Sequence, residues 1–284
     1  MKTRLRPYAL AVFVILPVPV FCTTVVVIGT QNGLVISSDS KTGVEKNGVL
    51  VRTFDNHRKI AILNDQFLIA GVGTVDITSG PNHFNFLPWA AILQTRIAKK
   101  TVEQVADMVK DETASMFLQV DVDSMVKNGT LKKPSAGANC QMFAQFIIAG
   151  LQTGTWHIYK VQYDIDWREK HLLSPSKEEL EREWNPLSPE RPLFLTFGVV
   201  EAIQDNSHES YAYKRIKELC PKAVADFESG TYHLPLQETI ALSRALVQVE
   251  EDTNPTLVGG DIKSAEILPT GVALEIPDPS DSKK

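Results

Sequence analysis

The chain has 284 residues, 43% of them hydrophobic and 22% charged, a balance that excludes a disordered or fibrous protein and supplies one large core. A formal net charge of −5, with no long run of like charge, leaves no electrostatic footprint for nucleic acid. Three cysteines are far too few for a disulfide-built fold, and six scattered histidines with no Cys-x-x-Cys pair give no metal-ligand spacing, so no metal and no cofactor is expected.

Residues 1–22 differ from all that follows. Lys2, Arg4 and Arg6 form a positive head, residues 9–16 a short apolar stretch, and Pro17 and Pro19 end it. The pattern predicts a secretory signal and hence a secreted or periplasmic protein. The apolar stretch falls short of the about 20 residues a membrane span needs, so no membrane partner is expected once the signal is gone; an uncleaved anchor is the alternative. Cleavage after Val20-Phe21-Cys22 makes Thr23 the new N-terminus, whereas a lipoprotein signal would want a small residue where Phe21 stands. Cys140 and Cys220 then remain, as one disulfide or as two unpaired thiols.

The mature chain opens with Val- and Ile-rich residues 24–38 around Asn32-Gly33, the strongest short hairpin signal. A second pair of strands is expected over 48–53 and 59–71, flanking Asp55-Asn56-His57. Past Gly73 the period changes to that of helices: 86–99 carries Leu87, Ala90, Ala91, Leu93, Ile97 and Ala98 on one face, and Thr101 with Gln104 forms a capping box for the next helix. Gly129 and Pro134 mark a loop, and strands over 141–149 and 155–164 meet at the turn Gln152-Thr153-Gly154. The charged stretch 174–192 reads as a surface excursion with a short acidic helix over 177–183. A buried strand at 193–200, amphipathic helices at 210–219 and 236–249, a strand pair within 257–276 and a polar tail at 277–284 complete the order. That order predicts one α+β domain over 23–276, two antiparallel sheets face to face with helices on both outer sides, a four-layer αββα sandwich.

An N-terminal threonine carries a hydroxyl and an α-amine on adjacent carbons, and the amine, with an ordinary pKa near about 8, can take the hydroxyl proton. In peptide linkage the same nitrogen is an amide and no base, so signal removal would also activate Thr23. Asp39 follows sixteen residues later at the end of the second hairpin strand, which returns it beside the start of the first. Lys59 begins another strand, and paired with Asp39 it would put positive charge near the hydroxyl. The Gly71-Val72-Gly73 turn offers a backbone N–H as oxyanion donor.

The run Thr23-Thr24-Val25-Val26-Val27-Ile28, through Asn32-Gly33-Leu34-Val35-Ile36 to Ser38-Asp39-Ser40-Lys41, resembles the start of mature proteasome β subunits, and the bacterial two-component protease relative begins similarly. The resemblance covers residues 23–73 and implies the N-terminal-nucleophile (Ntn) hydrolase fold and a threonine-type peptidase working through an acyl-enzyme. It makes Thr23 the nucleophile, Asp39 and Lys59 its catalytic partners, Gly73 the close of the oxyanion turn, and Gly43 a binder of substrate backbone. It also implies a homo-oligomeric ring, for which Trp89, Met116 and Phe117 would supply apolar surface. There are departures. Lys41 stands for the usual arginine, the Asp39-to-Lys59 interval is about four residues longer than the family's, and no serine stands at Thr196-Phe197-Gly198, where the family has a helper hydroxyl. Asp252 and the Gly259-Gly260-Asp261 turn echo the family's late motif only loosely. Cys22 replaces the glycine that precedes a self-cleaving threonine, which favours signal peptidase over autolysis. The substrate expected is a peptide or a small amide. Open alternatives are a small-amide acylase, a non-catalytic scaffold or binding protein of the same fold, and Cys22 as the N-terminal nucleophile.

Overall fold

The computed structural model describes residues 23–46, 49–54, 57–79, 82–127, 131, 133–134, 139–180, 192–204, 210–229 and 234–277. Residues 1–22, where a signal is expected, and all of the tail but Pro277 lie outside the described residues.

Strands β1 (Thr24–Thr30) and β2 (Gly33–Ser38) form the expected hairpin, with Thr30 opposite Gly33. Gly33 has φ +149°, and a Cβ on it would lie 2.9 Å from the Ile267 carbonyl oxygen, so only glycine lets the strand containing Ile267 approach this turn. β3 (Thr42–Lys46) and β4 (Val49–Phe54) form a two-stranded ribbon, one strand more than the sequence predicts there. The run 59–71 is a hairpin rather than one strand: β5 (Ile60–Leu63) turns through Asn64 and Asp65, both at φ 52°, into β6 (Phe67–Gly73). A small hairpin, β7 (Asp76–Ser79) with β8 (Asn82–Asn85), leads into α1 (Phe86–Leu93), which tightens to a 3₁₀ turn at Gln94–Arg96 and so ends short of residue 99. α2 (Val102–Phe117) starts at the predicted capping box, with the Gln104 amide on Thr101 Oγ1 and the Thr101 amide on Gln104 Oε1, each at 3.1 Å.

α3 (Val122–Lys127) precedes two long strands, β9 (Cys140–Gln152) and β10 (Thr155–Asp166), joined by the Thr153-Gly154 turn. β11 (His171–Leu172) and β12 (Ser176–Glu179) both pair with β10, which corrects the start of the acidic helix expected over 177–183, whose residues 181–183 lie outside the described residues: Tyr159–Gln162 offers a ladder to β12, and backbone pairing overrides a helical composition. β13 (Leu193–Gly198) is a strand as predicted but only partly buried, since it is the outermost of its sheet. α4 (Glu201–Gln204), α5 (Tyr211–Leu219), α6 (Pro221–Glu228) and α7 (Leu236–Thr253) follow, then β14 (Lys263–Ile267) and β15 (Ala273–Ile276).

The protein is α+β with two antiparallel sheets, ordered β13-β1-β2-β14-β15 and β11-β10-β9-β6-β5. Three apolar clusters set the layering. Val25, Val27, Leu34 and Ile36 of the first sheet pack on Leu68, Ala70, Val72 and Ile147 of the second. The second sheet's other face, through Phe143, Phe146 and Tyr163, meets α1 to α3, while Val26 and Ile28 of the first sheet meet α5 to α7. Alternate residues of β1 therefore serve different cores, which is why Val25 to Ile28 are uniformly apolar and fully buried.

Candidate active site

Hairpin register brings the predicted residues together. Val25 lies opposite Ser38, so Asp39 falls beside Thr24, and its amide donates to the Thr24 carbonyl at 3.3 Å. Asp39 Oδ1 accepts from the Thr24 amide at 2.9 Å and from Lys59 Nζ at 3.0 Å. Lys59 is held in turn by its carbonyl, which accepts from the Gly71 amide at 2.9 Å. Thr23, Asp39 and Lys59 are 1%, 0% and 2% exposed, so the ion pair is fully withdrawn from water. Burial pushes the Asp39 carboxyl up from its ordinary value, and the Lys59 charge, the Thr24 amide and the Gly259 amide draw it back down. The Gly259 amide acts only at longer range, because Asp39 Oδ2 makes no hydrogen bond.

Thr23 itself is fixed from the far end of the chain. Its carbonyl accepts from the Val199 amide at 2.8 Å, and Thr24 Oγ1 donates to the Val199 carbonyl at 2.6 Å. Gly198, at φ +86°, would place a Cβ 1.9 Å from the Thr23 carbonyl oxygen and 3.2 Å from Val72 Cγ1. No side chain fits there. Gly198 thus lies between Thr23 and the end of β6, where Gly73 takes φ 78° and its carbonyl accepts from the Val75 amide at 3.1 Å. Gly43 lies on the β3–β4 ribbon, opposite Thr53.

No family model matches this chain, and neither does any curated protein. The reading of the site therefore rests on its geometry.

Three contributors escaped the sequence reading. Gly198 ends the Thr196-Phe197-Gly198 segment that lacks a helper serine, Val199 follows it, and both act through backbone rather than a hydroxyl. The Gly259 carbonyl accepts from the Ser40 amide at 3.1 Å, so the late glycine turn does reach the Asp39-Ser40-Lys41 segment. Asp252 does not: it pairs with Arg215 at 2.8 Å and accepts from the Tyr211 hydroxyl at 3.0 Å. Cys140 is exposed and Cys220 buried, and both are free thiols. Among the described residues no group of three or more His, Cys, Asp or Glu is placed to hold a metal ion, and no helix is long and apolar enough to cross a membrane.

Proposed function

We propose that the protein is an exported threonine-nucleophile amide or peptide hydrolase of the Ntn type, activated when the segment before Thr23 is removed. The observation that carries this reading is the buried Lys59–Asp39 pair whose shared oxygen also grips the amide next to Thr23. A buried ion pair is a poor stabiliser compared with apolar residues, and one anchored to a single backbone amide next to an incipient N-terminus has a positioning use.

In this mechanism the freed α-amine of Thr23 takes the hydroxyl proton as Oγ1 attacks the amide carbonyl. The developing oxyanion is stabilised by the backbone N–H of Gly73, where β6 ends at φ 78°, since the Gly71 amide is already given to the Lys59 carbonyl; the low polarity of the site strengthens the interaction. The C–N bond breaks, its electron pair stays on nitrogen, and the leaving amine takes the proton held by the Thr23 amine. Water then cleaves the Thr23 ester and releases the acid. Lys59 supplies positive charge near the reacting oxygen and Asp39 holds Lys59 and the Thr23–Thr24 peptide in place.

A non-catalytic binding protein with the same fold is the second reading, favoured by the burial of Thr23 and by glycine where a helper hydroxyl would stand. One experiment separates them. Exported protein treated with a β-lactone should begin at Thr23 and carry one added acyl group on that residue, and Thr23→Ala should carry none. Active material that retains residues before Thr23, or a chain that starts at Thr23 and resists acylation, sinks the hydrolase reading.

A further inference from the structure

Between the sheets, on the side of β6 away from Lys59, stands a polar chain that the mechanism above does not use. β5 flanks β6 on one side and β9 on the other. Gln145 of β9 lies directly opposite Val72 and shares the face of Ile147 and Ala149, both of which belong to the core between the sheets. Val72 is the residue that meets Gly198 beside Thr23, so Gln145 lies one strand removed from the site on that face.

The chain of hydrogen bonds has a direction. Gln162 faces Gln145 across the β9–β10 pair, and its Nε2 donates to both Asp164 oxygens at 2.8 and 3.0 Å. A carboxylate only accepts, so Gln162 must turn its amide nitrogen to Asp164 and its oxygen to Gln145. Gln145 Nε2 therefore donates to Gln162 Oε1, at 2.6 Å, and Gln145 Oε1 is left as the outward end. That oxygen is buried without a partner on a residue only 9% exposed. An orphaned buried acceptor is costly, and this one is polarised by the carboxylate two links behind it. What satisfies it is a donor.

We infer that Gln145 binds the leaving group: its Oε1 accepts a hydrogen bond from the N–H of the scissile amide, which makes the preferred substrate an amide whose nitrogen carries hydrogen. The inference rests on the threonine-hydrolase reading. As the C–N bond breaks, nitrogen gains the electron pair and a proton, and Gln145 Oε1 holds it through the N–H it already carries.

The test compares an anilide with a phenyl ester of the same acyl group, since the ester presents no N–H. In the mature protein, Gln145→Met should lower kcat/KM for the amide about tenfold relative to the ester, the worth of one hydrogen bond. Asp164→Asn removes the constraint that fixes the direction of the chain and should reduce the amide-to-ester ratio in the same sense; this half-buried position keeps the test decisive if Gln145→Met fails to fold. Equal losses on amide and ester, or no loss in either variant, overturn the role of Gln145. Wild-type protein that forms no Thr23 ester from either substrate overturns the hydrolase reading itself, and with it this inference.

Discussion

Asp39 Oδ1 serves two donors of different kinds, an ammonium and a backbone amide, while Oδ2 serves none. Removing either charge strands the other in a dry site, at about 3–5 kcal/mol, whereas removing both costs far less. Lys59→Met and Asp39→Asn should each lower the urea midpoint sharply, and the double variant should recover most of that loss while all three remain inactive. A stable double variant that still acylates at Thr23 would show the pair to be structural only. The sixteen-residue interval made this pair legible, because a two-residue turn fixes hairpin register and so the meeting of Thr24 with Asp39. Val199 was not legible: its bonds to Thr23 and Thr24 span about 175 residues of sequence and use backbone atoms that every residue type possesses.

Elements were readable wherever local chemistry agreed with the fold. The Asn32-Gly33 and Thr153-Gly154 turns, the Thr101 capping box, and the Ser210 cap on the Tyr213 amide all act within a few residues. Residues 177–179 failed because their partner is β10, and α4 was missed because its Ile203 amide is bound at 2.8 Å by Glu250 of α7, a buried carboxylate 47 positions away. The α2–β10 contact can be tested by pH. Tyr163 shares a 2.7 Å hydrogen bond with Thr113 Oγ1, and burial pushes its phenol up from 10.0 to about 12. The native state then holds a proton that the unfolded chain has lost, so this contribution to stability is full below pH 10 and is lost as pH rises towards about 12. Urea midpoints across that window should fall less steeply for Tyr163→Phe than for wild type. Parallel slopes would mean that the α2–β10 contact does not bury the phenol.

At the scale of the whole molecule, the layered order was legible because helical and strand periods alternate cleanly along the chain, but the surface was not. Trp89 and Phe117 are 6% and 0% exposed and Met116 packs against the same cluster, so the residues expected to face a neighbouring subunit are consumed by the core under α1 and α2. Trp89 Nε1 even finds its partner within the layer, donating to Glu112 at 3.2 Å. Among the described residues the exposed large apolar side chains lie on several sides: Ile92 on α1 and Leu118 after α2, Leu173 after β11, Tyr211 and Leu219 on α5 across both sheets, Phe194 on edge strand β13, and Val272 and Leu274 at the far edge strand β15. A stable interface buries about 800 Å² per partner around an apolar centre, and among the described residues no one face gathers such a centre. A contact between copies of the chain starting at Thr23 is therefore expected to use these exposed residues and not Trp89, Met116 or Phe117. In light scattering at micromolar concentration Ile92→Lys should lower the mass of an assembly and Met116→Ala should leave it unchanged; the reverse result would place the subunit contact on the cluster under α1 and α2.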